Sequence, residues 1–215
     1  RVATPCQAIL MQIGQAYPSK LIDAMGVAAL QLANKGQNYS SNALLVLVSF
    51  LHKYPFQVLP NLSKYVDRIL TCLAPSNPNL RRHALLPATS AFHELVKTFP
   101  MVSFHQQTQR FAVGSNDGPI VVYDLRTATK YRVLDGHTGK VDAISFSHNG
   151  EKLASYSGDD RLIKIWPLAS GGLLSGYMIL EVISYEIINR FTIFFIVFFS
   201  KKKVSPNFQK VHRFR

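Results

Sequence analysis

The sequence predicts an α + β chain with the two classes segregated, helices first and two small antiparallel sheets after them. Apolar residues recur at helical spacing from Thr4 to about Thr98, and the period changes to short alternating runs after Phe99-Pro100. The alternating part is then written twice, which makes it a repeat rather than a single sheet. The predicted organisation is a helical region at 1–99, two repeated sheets at 100–168, and a divergent tail at 169–215 expected to stay outside the fold.

Four or five helices account for the first region. Pro18-Ser19 can open a helix whose Leu21, Met25, Ala28 and Leu32 share a face. Ser40 or Ser41 can cap the next, and its Leu44–Leu51 run is apolar all round, as a buried helix requires. Leu59, Leu62, Val66, Ile69 and Leu73 form a stripe closed by Pro75. Asn79 can start a last helix faced by Leu85, Ala88, Phe92 and Leu95, with a kink or restart expected at Pro87. Short connections favour antiparallel neighbours, hence an α-solenoid (HEAT-like) stack, with a plain helical bundle as the alternative.

The strands come next. Val102–Phe104, Phe111–Gly114, Ile120–Tyr123 and Tyr131–Leu134 form the first set, with Ser115-Asn116-Asp117-Gly118 as the clearest turn. Val141–Phe146, Lys152–Ser157 and Leu162–Trp166 form the second, turned by His148-Asn149-Gly150 and Gly158-Asp159-Asp160. Phe111–Asp124 matches Leu153–Pro167 with one extra residue in the second copy. Tyr123 and Trp166 therefore lie 43 residues apart, within the ~40–45 of one four-stranded propeller blade. Two blades make an incomplete propeller, because closure takes about four to eight and unpaired edges invite partners. The remaining blades are expected from a missing upstream part of a parent chain, since the sequence starts at Arg1 rather than Met.

The second copy resembles the WD-repeat family. It carries Gly136-His137 before the first strand, Phe146-Ser147-His148-Asn149-Gly150 at the first turn, Leu153-Ala154-Ser155 in the second strand, and Asp160 six residues before Trp166. Pro167 replaces the Asp that usually follows Trp, and the first copy has Tyr123-Asp124 with no Gly-His before it. The resemblance implies a structural hydrogen-bond network of His137, Ser155, Asp160 and Trp166. In it the Trp166 N–H donates to Ser155, Ser155 meets His137, and His137 donates to Asp160. Asp117, Tyr123, Asp124, Gly136 and Gly150 are the accompanying turn and blade positions.

Ser, His and Asp together also suggest a hydrolase triad. No G-x-S-x-G elbow surrounds Ser155 and nothing marks an oxyanion hole, so the structural reading prevails and no catalytic site is expected. His93-Glu94 begins like a zinc-protease helix, but Lys97 stands where the second His belongs. No cofactor or metal is expected.

A longer stretch, Glu94–Gln106 with Thr108–Gly114 and Tyr123–Lys130, is similar to the C-terminal helix-to-blade junction of the rabconnectin-3 beta-like WD-repeat scaffolds. That resemblance implies a non-enzymatic cytoplasmic scaffold, peripheral on vesicle membranes. Its implied partners are a rabconnectin-3 alpha-like scaffold and subunits of the vacuolar proton-pumping ATPase. The alternatives are a WD-repeat adaptor in a chromatin or ubiquitin-ligase complex, and a scaffold anchored in membrane by its tail.

Charge and cysteine content agree with a protein-binding role. The net charge is +12, but seven of the Lys/Arg follow Tyr177 and Arg81-Arg82 is the single tight pair before them, so no phosphate-tracking stripe forms. No nucleic-acid partner is expected. Cys6 and Cys72 read as reduced core thiols. The tail holds seven of the 14 Phe, yet its uninterrupted apolar run, Phe191–Phe199, is far shorter than the ~20 residues of a membrane span. It reads as an alternative or non-coding end.

Overall fold

A computed structural model describes residues 3–31, 37–168 and 178–181. The chain forms two compact units. One is helical and ends at Thr98, with Leu125–Thr129 grouped with it; the other starts at Phe99 and holds the sheets.

The helical unit contains α1 (Ala3–Ala16), α2 (Pro18–Gln31), α3 (Gln37–Lys53), the single turn α4 (Pro55–Val58), α5 (Leu62–Cys72) and α6 (Pro78–Thr98). Proline opens α2, α4 and α6, where its missing N–H costs nothing. On α5 the predicted stripe is the core face: Leu62, Val66, Ile69 and Leu73 are buried, joined by Tyr65. The Tyr65 hydroxyl donates to the Leu47 carbonyl at 2.9 Å, which satisfies it inside the core.

Several helix details differ from the sequence expectation. α3 starts at Gln37, ahead of the expected Ser40/Ser41 cap. The last helix is capped by Asn77, whose Oδ1 accepts the Leu80 N–H at 3.1 Å, so Asn79 lies inside it. On α2 the buried residues are Leu21, Ile22, Gly26 and Ala29, a face rotated by one position from the expected one. Gly26 lies at a close approach of α5: a Cβ there would run into the Arg68 side chain. On α6 the core face is Leu80, Ala84, Ala88, Ala91, Phe92 and Leu95, while Leu85 is exposed.

Pro87 neither ends nor restarts α6, which runs through it as one helix of 21 residues. Proline removes the N–H that would bond the carbonyl four residues back, here that of His83. Ser41 Oγ donates to this carbonyl at 2.8 Å. A hydroxyl from α3 thus replaces the lost helical bond and lets the helix continue.

The second unit is two four-stranded sheets ordered β1-β2-β3-β4 and β5-β6-β7-β8. The strands are β1 (Val102–His105), β2 (Arg110–Gly114), β3 (Ile120–Asp124), β4 (Thr129–Leu134), β5 (Ala143–Phe146), β6 (Lys152–Ser157), β7 (Leu162–Pro167) and β8 (Met178–Glu181). Register confirms the repeat: Tyr123 stands opposite Phe111 on β2, as Trp166 stands opposite Leu153 on β6. The extra residue of the second copy is therefore absorbed at the hairpin tip.

β8 corrects the expectation that the tail stays outside the fold. Met178–Glu181 pairs antiparallel with β7, Ile165 opposite Met178 and Leu162 opposite Glu181, and supplies the outer strand of the second sheet. The remaining tail expectations lie outside the described residues. Among those described, no single helix is long and apolar enough to cross a membrane. Cys72 is buried, with its thiol pushed up to about 11 by burial, whereas Cys6 is exposed rather than in the core.

Candidate functional site

The second sheet gathers the four polar residues singled out by sequence. Ser155 is central on β6, Trp166 lies near the end of β7, His137 lies in the segment leading to β5, and Asp160 lies in the β6–β7 hairpin. Trp166 Nε1–H donates to Ser155 Oγ at 2.8 Å, and Ser155 Oγ lies 2.7 Å from His137 Nε2. His137 Nδ1 lies 2.8 Å from Asp160 Oδ2.

These contacts fix the protons. The indole can only donate, so the serine oxygen accepts from it and turns its own O–H toward Nε2. Nε2 is then an acceptor, and the ring proton sits on Nδ1 and donates to the carboxylate. Every member is satisfied in a site where Ser155 is fully buried and His137 and Trp166 are 4% exposed. The His137 and Trp166 rings also meet edge to face, 6.2 Å between centroids.

Asp160 is a hub. Its Oδ1 accepts the Leu162 N–H at 3.0 Å, and the Thr138 N–H approaches Oδ2 at 3.4 Å. Lys164 is the residue that sequence reasoning missed. It is buried on β7, its ammonium lies 3.7 Å from Asp160 Oδ2, and it donates to the Gly136 carbonyl. The signal was available: Lys164 interrupts an Ile-Lys-Ile run and stands four residues after Asp160. Burial lowers the His137 pKa, and the Lys164 charge lowers it further, against the pull of the Asp160 carboxylate. The imidazole is thus held neutral.

The turn positions serve this arrangement. Gly136 supplies the carbonyl that receives Lys164. Gly118, in the β2–β3 hairpin beside Asp117, has φ +107°, and a Cβ there would strike the His137 carbonyl. Gly150 has φ +68° and closes the β5–β6 turn, its N–H donating to the Ser147 carbonyl at 2.9 Å. The Asp117 N–H reaches Ser115 Oγ at 3.3 Å. Tyr123 and Asp124 are buried at the end of β3 in the first sheet. They are not part of the four-residue chain.

Chemically this is a lock. A serine nucleophile must reach a substrate, and Ser155 Oγ is enclosed with both its hydrogen-bonding roles occupied. Other candidates resolve in the same way. Arg81 donates to the Leu73 carbonyl at 2.8 Å and to that of Arg126 at 3.0 Å, a helix-end role. Glu94 lies 3.3 Å from His52 on α3. Among the described residues no His/Cys/Asp/Glu group is disposed to hold a metal.

The sequence pattern of the nucleolar protein 10-like, N-terminal domain β-propeller family matches residues 79–197. An uncharacterized WD repeat-containing protein of Synechocystis is 37% identical over 79 residues, covering 37% of this chain and 22% of the relative. WD repeat-containing protein 1 of Gallus gallus is 38% identical over 79 residues, 35% of this chain and 13% of that one. Retinoblastoma-binding-like protein E of Dictyostelium discoideum is 42% identical over 74 residues, 34% of this chain and 14% of that one. The chain thus spans between 13% and 22% of these curated relatives. A solved structure, the Cps50 (Swd1) β-propeller domain of Myceliophteria thermophila, is 27% identical with a TM-score of 0.35, covering 40% of this chain and 25% of that one.

Proposed function

We propose, from the premise that the chain belongs to the nucleolar protein 10-like N-terminal β-propeller family and carries WD repeats, that it works as a non-catalytic scaffold for other proteins. One observation carries this reading. The polar groups that could do chemistry, Ser155, His137 and Asp160, are consumed in holding the second sheet together. Loops, strand edges and helix faces are the surfaces by which such a scaffold binds.

The finer reading is that the scaffold belongs to the rabconnectin-3 beta-like proteins, acts in the cytoplasm at vesicle surfaces, and contributes to assembly or regulation of the vacuolar proton-pumping ATPase. Its support is the resemblance over Glu94–Gln106, Thr108–Gly114 and Tyr123–Lys130. A second reading, an adaptor in a chromatin complex, draws on the likeness to a retinoblastoma-binding-like protein. Affinity capture with this chain as bait separates them. Recovery of proton-pump subunits and a rabconnectin-3 alpha-like partner supports the first. Recovery of nuclear complexes without pump subunits supports the second.

A further inference from the structure

The two sheets flank an open cleft of about 480 Å³, lined by residues 103–107 of the first and 144–148 of the second. It runs along β1 and β5, each the end strand of its sheet. The cleft is bounded at one end by the Ile144 N–H donating to the Pro100 carbonyl at 3.0 Å. At the other, His105 Nε2 lies 2.9 Å from the His148 carbonyl.

Ladder parity shows what the strands present there. The Gly114 N–H donates to the Met101 carbonyl, which makes that pair a bonded one. Bonded and non-bonded pairs alternate in an antiparallel ladder, so Ser103–Ala112 is bonded and Phe104–Phe111 is not. The N–H and C=O of Phe104 therefore point away from β2, along the open edge. On β5 the Ser147 N–H donates to the Lys152 carbonyl, and the same counting turns Phe146 outward. Among the described residues, Ser145 Oγ approaches the Phe146 carbonyl at 3.4 Å. Phe104 is also 38% exposed.

We propose that this cleft receives a short, extended, uncharged segment of a partner protein. Its backbone would pair with the open edge of β1 at Phe104, and one apolar side chain would lie on the Phe104 ring. Outward N–H and C=O groups call for an extended backbone, since a helix has already spent its own. The lining has two Phe, one Ile, serines, glutamines and histidines, with no Asp, Glu, Lys or Arg, so a charged ligand would lose water and find no counter-ion. This inference rests on the scaffold reading and adds a surface and a partner class to it.

The test is selection of a random peptide display library on the full chain, followed by single backbone N-methylation along each selected peptide. Loss of about tenfold in affinity at every second position is expected, because alternate amides face the strand edge. Phe104→Pro should cause a similar loss, since it deletes an N–H that the ladder does not use, and Phe104→Ala a smaller one. Uniform tolerance of N-methylation on the native chain would overturn the proposal whether or not the proline variant folds, and would leave the scaffold reading standing. Peptides insensitive to Phe104→Pro in a folded variant would overturn it too. So would a concentration-dependent dimer abolished by that variant, because the edge would then belong to a second copy.

Discussion

The two sheets are copies in strand number, order and register, yet they are closed by different chemistry. Val113 in the first stands where Ser155 stands in the second, Tyr123 replaces Trp166, and Asp117, six residues before Tyr123, holds the place that Asp160 holds before Trp166. The first sheet fills its interior with Phe111, Ala112, Val113 and Val122, all essentially inaccessible. The second threads a saturated chain of hydrogen bonds through the same place. Strand order and turn residues set the architecture, and the interior accepts either apolar packing or a hydrogen-bonded chain of polar side chains.

Substitutions can break this comparison. The largest effect is expected from Trp166→Ala, which leaves a cavity and strips Ser155 of its donor: about 4 kcal/mol in urea unfolding. Exchanging the interiors should hurt both sheets. Ser155→Val orphans the Trp166 N–H and removes the donor to His137, for a loss of about 3 kcal/mol. Val113→Ser buries a hydroxyl with no matching histidine, for about 2 kcal/mol. If Val113→Ser were neutral, the two interiors would be interchangeable and the contrast empty.

Gly118→Ala asks whether the first sheet's hairpin supports the second sheet's network. It forces a side chain to adopt φ +107° against the His137 carbonyl, and a loss of about 2 kcal/mol is expected. Acid sharpens the contrast without mutation. The folded state holds the His137 pKa below its ordinary value, so the unfolded chain takes the proton first. The stability this residue contributes is complete above about pH 6.5 and falls as pH drops below it. A thermal-melting series should show that decline in the native chain and a weaker one in His137→Gln. The smallest effect is a gain: Ala128 has φ +56°, and Ala128→Gly should relieve about 0.5 kcal/mol.

Much of this was legible in the chain. The repeat, its turns and the four polar residues could be read because each is local: a spacing, a glycine, a period of two. The restart expected at Pro87 fails because its remedy is distant, a serine 46 residues earlier in sequence that bonds the His83 carbonyl. Gly26 is a similar case, since it matters only once Arg68 packs on it. β8 was hidden because an outer strand of four residues, set in an apolar and basic tail, carries no alternation of its own. Lys164 was overlooked because a lysine in a strand reads as a solvent-facing position until its carboxylate partner is seen.

The central claim is that His137 is a neutral structural link with its proton on Nδ1. Nitrogen-15 NMR of the histidine-labelled chain at pH 7 tests it directly. The account requires one imidazole in the Nδ1–H form, with that proton exchanging slowly and its signal lost in Asp160→Ala. An Nε2–H tautomer or an imidazolium at this position would contradict it and free Ser155 for a different role.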